Sequence, residues 1–489
     1  MIAAAALSAL SGAVALSYEI LWYRAFSFAS GGTARTFPLL LGAYLAGLAV
    51  GAAAARRFCR EGGAPPLGPL GAFVVAANFA GFLVIPALAA LSARGAPWTA
   101  ALPLVAAAAA GLGAVFPLVS HVAVPPDARA GARVAWLYLA NIAGSAAGSG
   151  VTGFVLLDAW PIRTISTALG WGGLAIGAAV FGFAPRRLAA IAAVGTALAA
   201  AAPALFDGLY EKLQFKGDYR PEARFAHVVE TRSGVITVTR DGRIFGGGVY
   251  DGAFNTSLED DVNLVVRAYA LAGLHAAPRE VLVIGLSSGS WTRVLSQLPG
   301  VERVTVVEIN PGYLRLLPLF PEVAGILRDP KVRVEIGDGR RWLARRPDRR
   351  FDLIVSNTTF HWRSNATNLL SREFLEIVRA RLKPGGIFFY NTTESDRVQR
   401  TGAEAFPYAL RIYSCLALGE SPVRFDRERW LEAMRRYPHP GPAPSEGCLR
   451  EIAERLEANL ETRESILART RGARPVTDDN MGTEWEWGP

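Results

Sequence analysis

Gly285-Leu286-Ser287-Ser288-Gly289 follows directly on the apolar run Val281–Ile284. A β-branched run of that length suits a strand buried on both faces. Glycine lets the backbone turn sharply and approach a ligand closely. Ser290 is a candidate cap for a helix carrying Trp291, Val294 and Leu295. A second apolar run, Val304–Val307, ends in Glu308-Ile309. A carboxylate there can accept both hydroxyls of a ribose. A third run, Val332–Ile336, ends in Gly337-Asp338-Gly339, where an acid can accept from the exocyclic amine of a purine. A fourth, Phe351–Val355, leads into Ser356-Asn357-Thr358-Thr359-Phe360-His361-Trp362. Strand, glycine turn, helix, strand and acid in that order point to a nucleoside, and are more specific than the glycine spacing alone.

The elements that position these residues follow from the same periodicity. Strands alternating with helices predict a doubly wound, mostly parallel α/β sheet. In such sheets ligands sit beyond the carboxyl ends of the strands, the edge that Gly285, Glu308, Asp338 and Asn357 share. A fifth strand is expected at Ile387–Tyr390, after the turn Pro384-Gly385-Gly386. Ahead of the sheet, His227–Glu230, Val235–Arg240 and Ile244–Tyr250 are separated by Ser-Gly and Asp-Gly, and predict a small antiparallel β unit. Asn255–Asp261 reads as a helix start capped by Thr256 or Ser257, with the helix running to about His275. Residues 447–470 read as one amphipathic helix. The tail around Asp478 and Asp479 either lines a pocket or is solvated.

The chain has 489 residues, which allows two or three domains. Only 19% of them are charged, and the apolar excess is concentrated before residue 206. Seven spans are expected there, at about 2–30, 36–56, 68–93, 98–122, 133–157, 162–183 and 188–206. The division is therefore a transmembrane helical domain (1–206), a connector with the small β unit (207–250) and a Rossmann-like domain (251–489). Gly144, Ser145, Gly148 and Gly150 read as a helix-packing surface. Glu19 and Arg24 lie in or at the end of the first span. They are either functional intramembrane charges or an interfacial ion pair. The first run reads as a membrane helix rather than a cleaved signal, since no basic segment precedes it.

The net charge of +9 fits anionic lipid headgroups beside a membrane domain better than nucleic acid, because no nucleic-acid module is recognisable. Cys59, Cys415 and Cys448 have no metal-ligand spacing, and neither a metal nor a disulfide framework is expected. Arginines on the two sides of the spans nearly balance, so charge does not choose an orientation. A nucleoside metabolite is cytosolic, which puts the α/β domain in the cytosol of a cell whose inner membrane holds the spans. The expected partners are the nucleoside substrate and the bilayer, with room for homo-oligomers through the membrane domain and no nucleic acid.

VLVIGLSSGS, VVEIN, IGDGRRWL, FDLIVSN and NLLSREFLEIVRARLKPGG resemble the spermidine synthase family, and the hairpin unit ahead of the sheet fits it. SGAVALSYEILWYR, LGAYLAGLAVGAAAARR and LYLANIAGSAAGSGVTGFVLLD resemble that family's integral-membrane branch. The resemblance implies S-adenosylmethionine, or its decarboxylated form, as substrate, with no further cofactor. It implies ribose on Glu308-Ile309, adenine on Asp338-Gly339, and the sulfonium tail along Gly285, Leu286, Ser287, Ser288 and Gly289.

Two departures change the expected chemistry. The aspartates that grip the incoming amine in soluble aminopropyltransferases correspond here to Asn357 and Phe360, and the one beside the sulfonium tail to Ser288. A free amine with a pKa near 10 is mostly charged at pH 7 and needs an acid to hold it and a base to deprotonate it. The methionine carboxylate needs neither. Its attack on the carbon next to sulfur would release methylthioadenosine and close a lactone, with Asn357, Thr358, Thr359 and His361 holding the bent tail. The alternatives are aminopropyl transfer using Asp251, Glu259, Asp260 or Asp478, methyl transfer, and nucleoside binding without turnover. A purely structural role for the loop would pack it through Phe360 and Trp362.

Overall fold

The computed structural model describes residues 1–60, 65–181, 185–357, 360–439 and 443–486. It divides into two compact units, Met1–Val235 and Ile236–Pro489.

Among its described residues the first unit contains seven helices long and apolar enough to cross a membrane: α1 (Ile2–Ala29), α2 (Thr36–Phe58), α3 (Leu67–Ser92), α4 (Trp98–Ala123), α5 (Ala130–Ala159), α6 (Ile162–Phe181) and α7 (Pro185–Leu205). Small residues set the closest approach. A Cβ on Gly144 would lie 1.9 Å from the Ala9 carbonyl oxygen, and one on Gly148 would lie 2.3 Å from that of Ala13, so only glycine allows α5 to lie this close to α1. Aromatic residues fill the core: Trp22 is buried, stacks on Tyr18, and donates its indole N–H to Gly81 O at 3.1 Å. Glu19 and Arg24 are not an ion pair. The Arg24 guanidinium instead donates to the carbonyls of Thr231 and Gly234, the latter at 3.1 Å. The unit closes with β1 (His227–Thr231) and the start of β2 (Gly234–Val238). In β1, the half-buried Glu230 carboxylate accepts from Ile162 N at 2.9 Å, at the start of α6.

In the second unit β2 pairs antiparallel with β3 (Arg243–Gly246), and β3 with β4 (Val249–Ala253). The segment expected as one strand over 244–250 is thus two, joined at Gly247-Gly248, where φ is +58° and +80°. The expected helix start at Asn255 is also displaced. Helix begins only at Val266, because Asp261 caps it: Oδ1 accepts from Val265 N at 2.6 Å and Oδ2 from Val266 N at 3.1 Å.

The main sheet contains β5 (Glu280–Ile284), β6 (Arg303–Glu308), β7 (Val332–Ile336), β8 (Phe351–Ser356), β9 (Leu382–Asn391), β10 (Tyr408–Ile412), β11 (Cys415–Gly419) and β12 (Leu460–Thr462), in the order β12-β10-β11-β9-β8-β5-β6-β7. β7, β6, β5, β8 and β9 are parallel. The other three are antiparallel. The expected single helix over 447–470 is broken by β12, which pairs with β10 between the helices Glu446–Ala458 and Arg463–Arg469. Leu282, Ile284, Phe351, Phe374, Phe388 and Tyr390 form the core on the sheet.

Register aligns the strand tips. Ile284 is level with Val307 and with Ser356, and Ser356 with Tyr390. The next residues, Gly285, Glu308, Asn357 and Asn391, therefore stand in one row. The chain leaves β5 toward β6 on one side and reaches β8 on the other. Gly285 and Asn357 thus flank the point where strand order reverses, the place where open α/β sheets leave a crevice.

Candidate active site

A cavity of about 560 Å³ opens at that point, within the range of small-molecule sites. Gly285, Leu286, Ser287 and Ser288 form one wall, and Asn357, Phe360, Asn391, Thr393 and Glu394 another. Gly285, Ser287 and Gly289 have φ of +89°, +48° and +77°, and opposite them Thr393 and Glu394 have +47° and +65°. Non-glycine residues hold such angles only when their surroundings impose them. At Ser287 the surroundings are visible, since its hydroxyl donates to Asp251 O at 2.5 Å.

Glu308 lies behind the glycine turn. It is 3% exposed, and its carboxylate accepts from Leu286 N at 2.6 Å and Asn310 N at 2.7 Å. Burial pushes this carboxyl up to about 7, against the pull of the Asn310, Leu286 and Ser287 N–H groups.

Residues 269–410 match the family described as the spermine/spermidine synthase domain. The α/β unit thus carries a segment similar to the spermine/spermidine synthase domain. The chain is 31% identical over 177 residues to a polyamine aminopropyltransferase of Desulforudis audaxviator, covering 34% of this chain and 64% of that protein. It is 30% identical over 276 residues to polyamine aminopropyltransferase 2 of Streptomyces coelicolor, covering 52% of this chain and 48% of that protein. It thus spans less than two-thirds of either relative. A crystal structure of spermidine synthase with the transition-state analogue AdoDATO superposes at a TM-score of 0.39 and 18% identity, over 48% of this chain and 89% of that one.

The α/β unit brings Gly285, Leu286, Ser287, Ser288 and Asn357 together at the cavity. Asn357 Oδ1 accepts from Asn391 Nδ2 at 3.1 Å. Other expected site residues stand elsewhere. A Cβ on Gly289 would meet Ile326 at 2.7 Å and Leu317 at 2.8 Å, so Gly289 serves the turn and the packing beneath it. Ile309 is exposed. Asp338 Oδ1 accepts from Arg341 N at 2.7 Å and caps the helix Gly339–Ala344. Gly339 packs against β5, where a Cβ would lie 2.4 Å from Ile284 Cγ2. Ser290 is not a cap. Its hydroxyl donates to Ala253 O at 2.8 Å and accepts from Asn255 N at 3.2 Å, tying the helix to the end of β4.

His361 does not line the cavity. It stands behind Thr393, with Nδ1 2.8 Å from the Thr393 hydroxyl, and burial pulls its pKa down. Phe360 stacks on Trp362 with centroids 5.6 Å apart, the packing role weighed for this loop. Thr358 and Thr359 lie outside the described residues. Asp478 is paired with Arg340 through two hydrogen bonds. Asp478 and Asp479 are exposed, but the tail beyond them is docked: Glu484 is 2% exposed and accepts from Asn365 N at 2.8 Å and Thr367 N at 2.9 Å.

The expectation of a wholly neutral reactive end needs correcting. Asp251 and Glu394 line the cavity, and so do Arg243 and Arg267. Asp251 accepts from the Tyr313 hydroxyl. Burial raises its pKa, opposed by that bond and by the charge of Arg363. Arg267 was not anticipated. Among the described residues its side chain bonds to Leu264 O, Asn263 O, the Ser414 hydroxyl and the Cys415 sulfur, none of them a carboxylate. It also lies over the Trp291 ring at 5.5 Å and is 8% exposed. One signal was available, a lone arginine inside the apolar run Leu264–Leu274. Asn391 had one too, since Asn-Thr-Thr recurs at 357–359 and 391–393, after adjacent strands.

Proposed function

We propose that the synthase domain cleaves S-adenosylmethionine to methylthioadenosine and homoserine lactone by intramolecular alkyl transfer. The observation that carries this reading is Arg267. Its buried guanidinium lines the cavity and, among the described residues, bonds to no carboxylate. A buried cation needs an anionic partner. S-adenosylmethionine supplies one in its methionine carboxylate, and the decarboxylated form does not.

In this reading ribose donates to Glu308 and adenine reaches Asp338. The sulfonium lies along Gly285–Ser288, and the tail folds back past Asn357 and Asn391. Arg267 holds one carboxylate oxygen and leaves the other for attack. That oxygen bonds to the carbon next to sulfur while the carbon–sulfur bond breaks and its electron pair goes to sulfur. Carboxylate and sulfonium become neutral ester and thioether, and no proton moves. Correct folding of a tail within one molecule can be worth effective concentrations of about 10⁵ M or more.

Asp251 and Glu394 at the cavity, together with the names of the relatives, favour a second reading: aminopropyl transfer from decarboxylated S-adenosylmethionine to a polyamine. Mass spectrometry on the purified full chain separates the two. Methylthioadenosine and homoserine lactone from S-adenosylmethionine alone support the first. Methylthioadenosine that appears only with decarboxylated substrate and putrescine overturns it. S-adenosylhomocysteine would indicate methyl transfer.

We place the seven apolar helices in a bacterial inner membrane with the synthase domain in the cytosol, and the exposed face of α5 leaves room for contact between copies. A C-terminal reporter active only on the far side of that membrane would reverse the orientation.

A further inference from the structure

A second cavity, of about 460 Å³, lies among α1, α2, α4 and α5, wholly inside the first unit. Its walls are mostly aliphatic, but polar groups converge on it: Glu19, Ser8, Tyr44, Asn141 and Ser145. Glu19 sits about 5 Å from the middle of α1 at 1.5 Å rise per residue. Among the described residues no cation pairs with it, and the nearest along the helix, Arg24, is engaged by backbone carbonyls. Ser8 adds an independent sign. It is 2% exposed, it lines the cavity, and its hydroxyl has no hydrogen-bond partner. Asn141 holds the wall closed beside it, donating to Ser8 O at 3.0 Å.

We propose that this cavity is a binding site for a small organic ammonium ion. A carboxylate at this depth is costly alone, and a cation from outside the chain would compensate it. The ammonium can also donate to the Ser8 and Tyr44 oxygens, while the aliphatic walls take an alkyl body. With one carboxylate in the cavity, one positive charge is matched. A second charge, as on a polyamine, would face apolar walls without a partner.

The test is calorimetry on the full chain in phosphatidylcholine nanodiscs, with empty nanodiscs as reference. n-Butylammonium is expected to bind saturably, and n-butanol and putrescine about 30-fold more weakly or worse. Glu19→Gln is expected to lose the ammonium by a similar factor, and Glu19→Asp to keep part of it. Equal binding of n-butanol would show an apolar groove filled by lipid and overturn the proposal. So would unchanged n-butylammonium binding by Glu19→Gln, or displacement by equal concentrations of sodium. The comparison of n-butylammonium with n-butanol needs no variant, so it holds even if Glu19→Gln fails to fold.

Discussion

The Glu308 carboxylate is bonded to the Leu286 amide at 2.6 Å, so the acid that ends β6 holds the glycine turn that follows β5. The Glu308 carboxylate and the wall of the cavity are therefore one mechanical unit, and the protonation state of one bears on the other.

Glu308 should give the domain a distinctive pH response. Its folded pKa of about 7 stands above the ordinary 4.5. The folded state then holds its proton more tightly than the unfolded state. Stability is full below about pH 4.5, falls by about 3 kcal/mol as pH rises to about 7, and is flat above that. Asp251, also raised by burial, adds to the fall. In the proposed reading ribose hydroxyls donate to the ionised carboxylate, so methylthioadenosine affinity should rise through the same window and level off. Denaturation and binding measured from pH 4.5 to 8.5 check both, and Glu308→Gln should flatten the binding curve.

Arg267 should decide which substrate is accepted. Arg267→Gln is expected to raise KM for S-adenosylmethionine by about 30-fold or more, because it removes one partner of a buried charge pair. Inhibition by methylthioadenosine, which has no carboxylate, should change little. Arg267→Lys keeps the charge but not the fork, and should fall between the two. Equal losses for both ligands would mean that Arg267 only supports Trp291.

Gly339 should prove structural rather than ligand-binding. Gly339→Ala places a methyl 2.4 Å from Ile284 Cγ2 and should cost about 1–3 kcal/mol. Ile284→Leu removes that branch methyl, so the double variant should be less destabilised than the sum of the singles. Chemical denaturation of the four proteins measures the coupling.

Glu484 should govern the loop that carries Phe360. Glu484→Gln replaces one of two accepting oxygens by a donor, leaving the Asn365 or Thr367 N–H unpaired, at about 1–3 kcal/mol. Hydrogen exchange should speed up at Asn365 and Thr367 and stay unchanged in β5 and β6.

Local pattern made much of this molecule legible. Seven apolar runs of membrane-spanning length, and short β-branched runs ending in glycine or an acid, declare their structure without long-range information. Glu308 and the 285–289 turn could be singled out because parallel strands end on a common edge, so position in the repeat implies position in space. Other features had no such shortcut. The Asp261 cap displaced a helix start that local acids had suggested at Asn255. β12 broke an amphipathic helix because β10 offered an open edge whose backbone groups needed partners.

Asp251 was a candidate from sequence, but which charges meet at the cavity was decided by tertiary structure. Arg267 and Asp251 come from segments ahead of the sheet, and Glu394 from beyond its fifth parallel strand. Spacing along the chain says nothing of their meeting. The sequence by itself determined that a parallel-strand edge with a glycine turn and an acid would exist. Only folding decided which ionic groups face it, because burial and pairing arise when distant segments pack together.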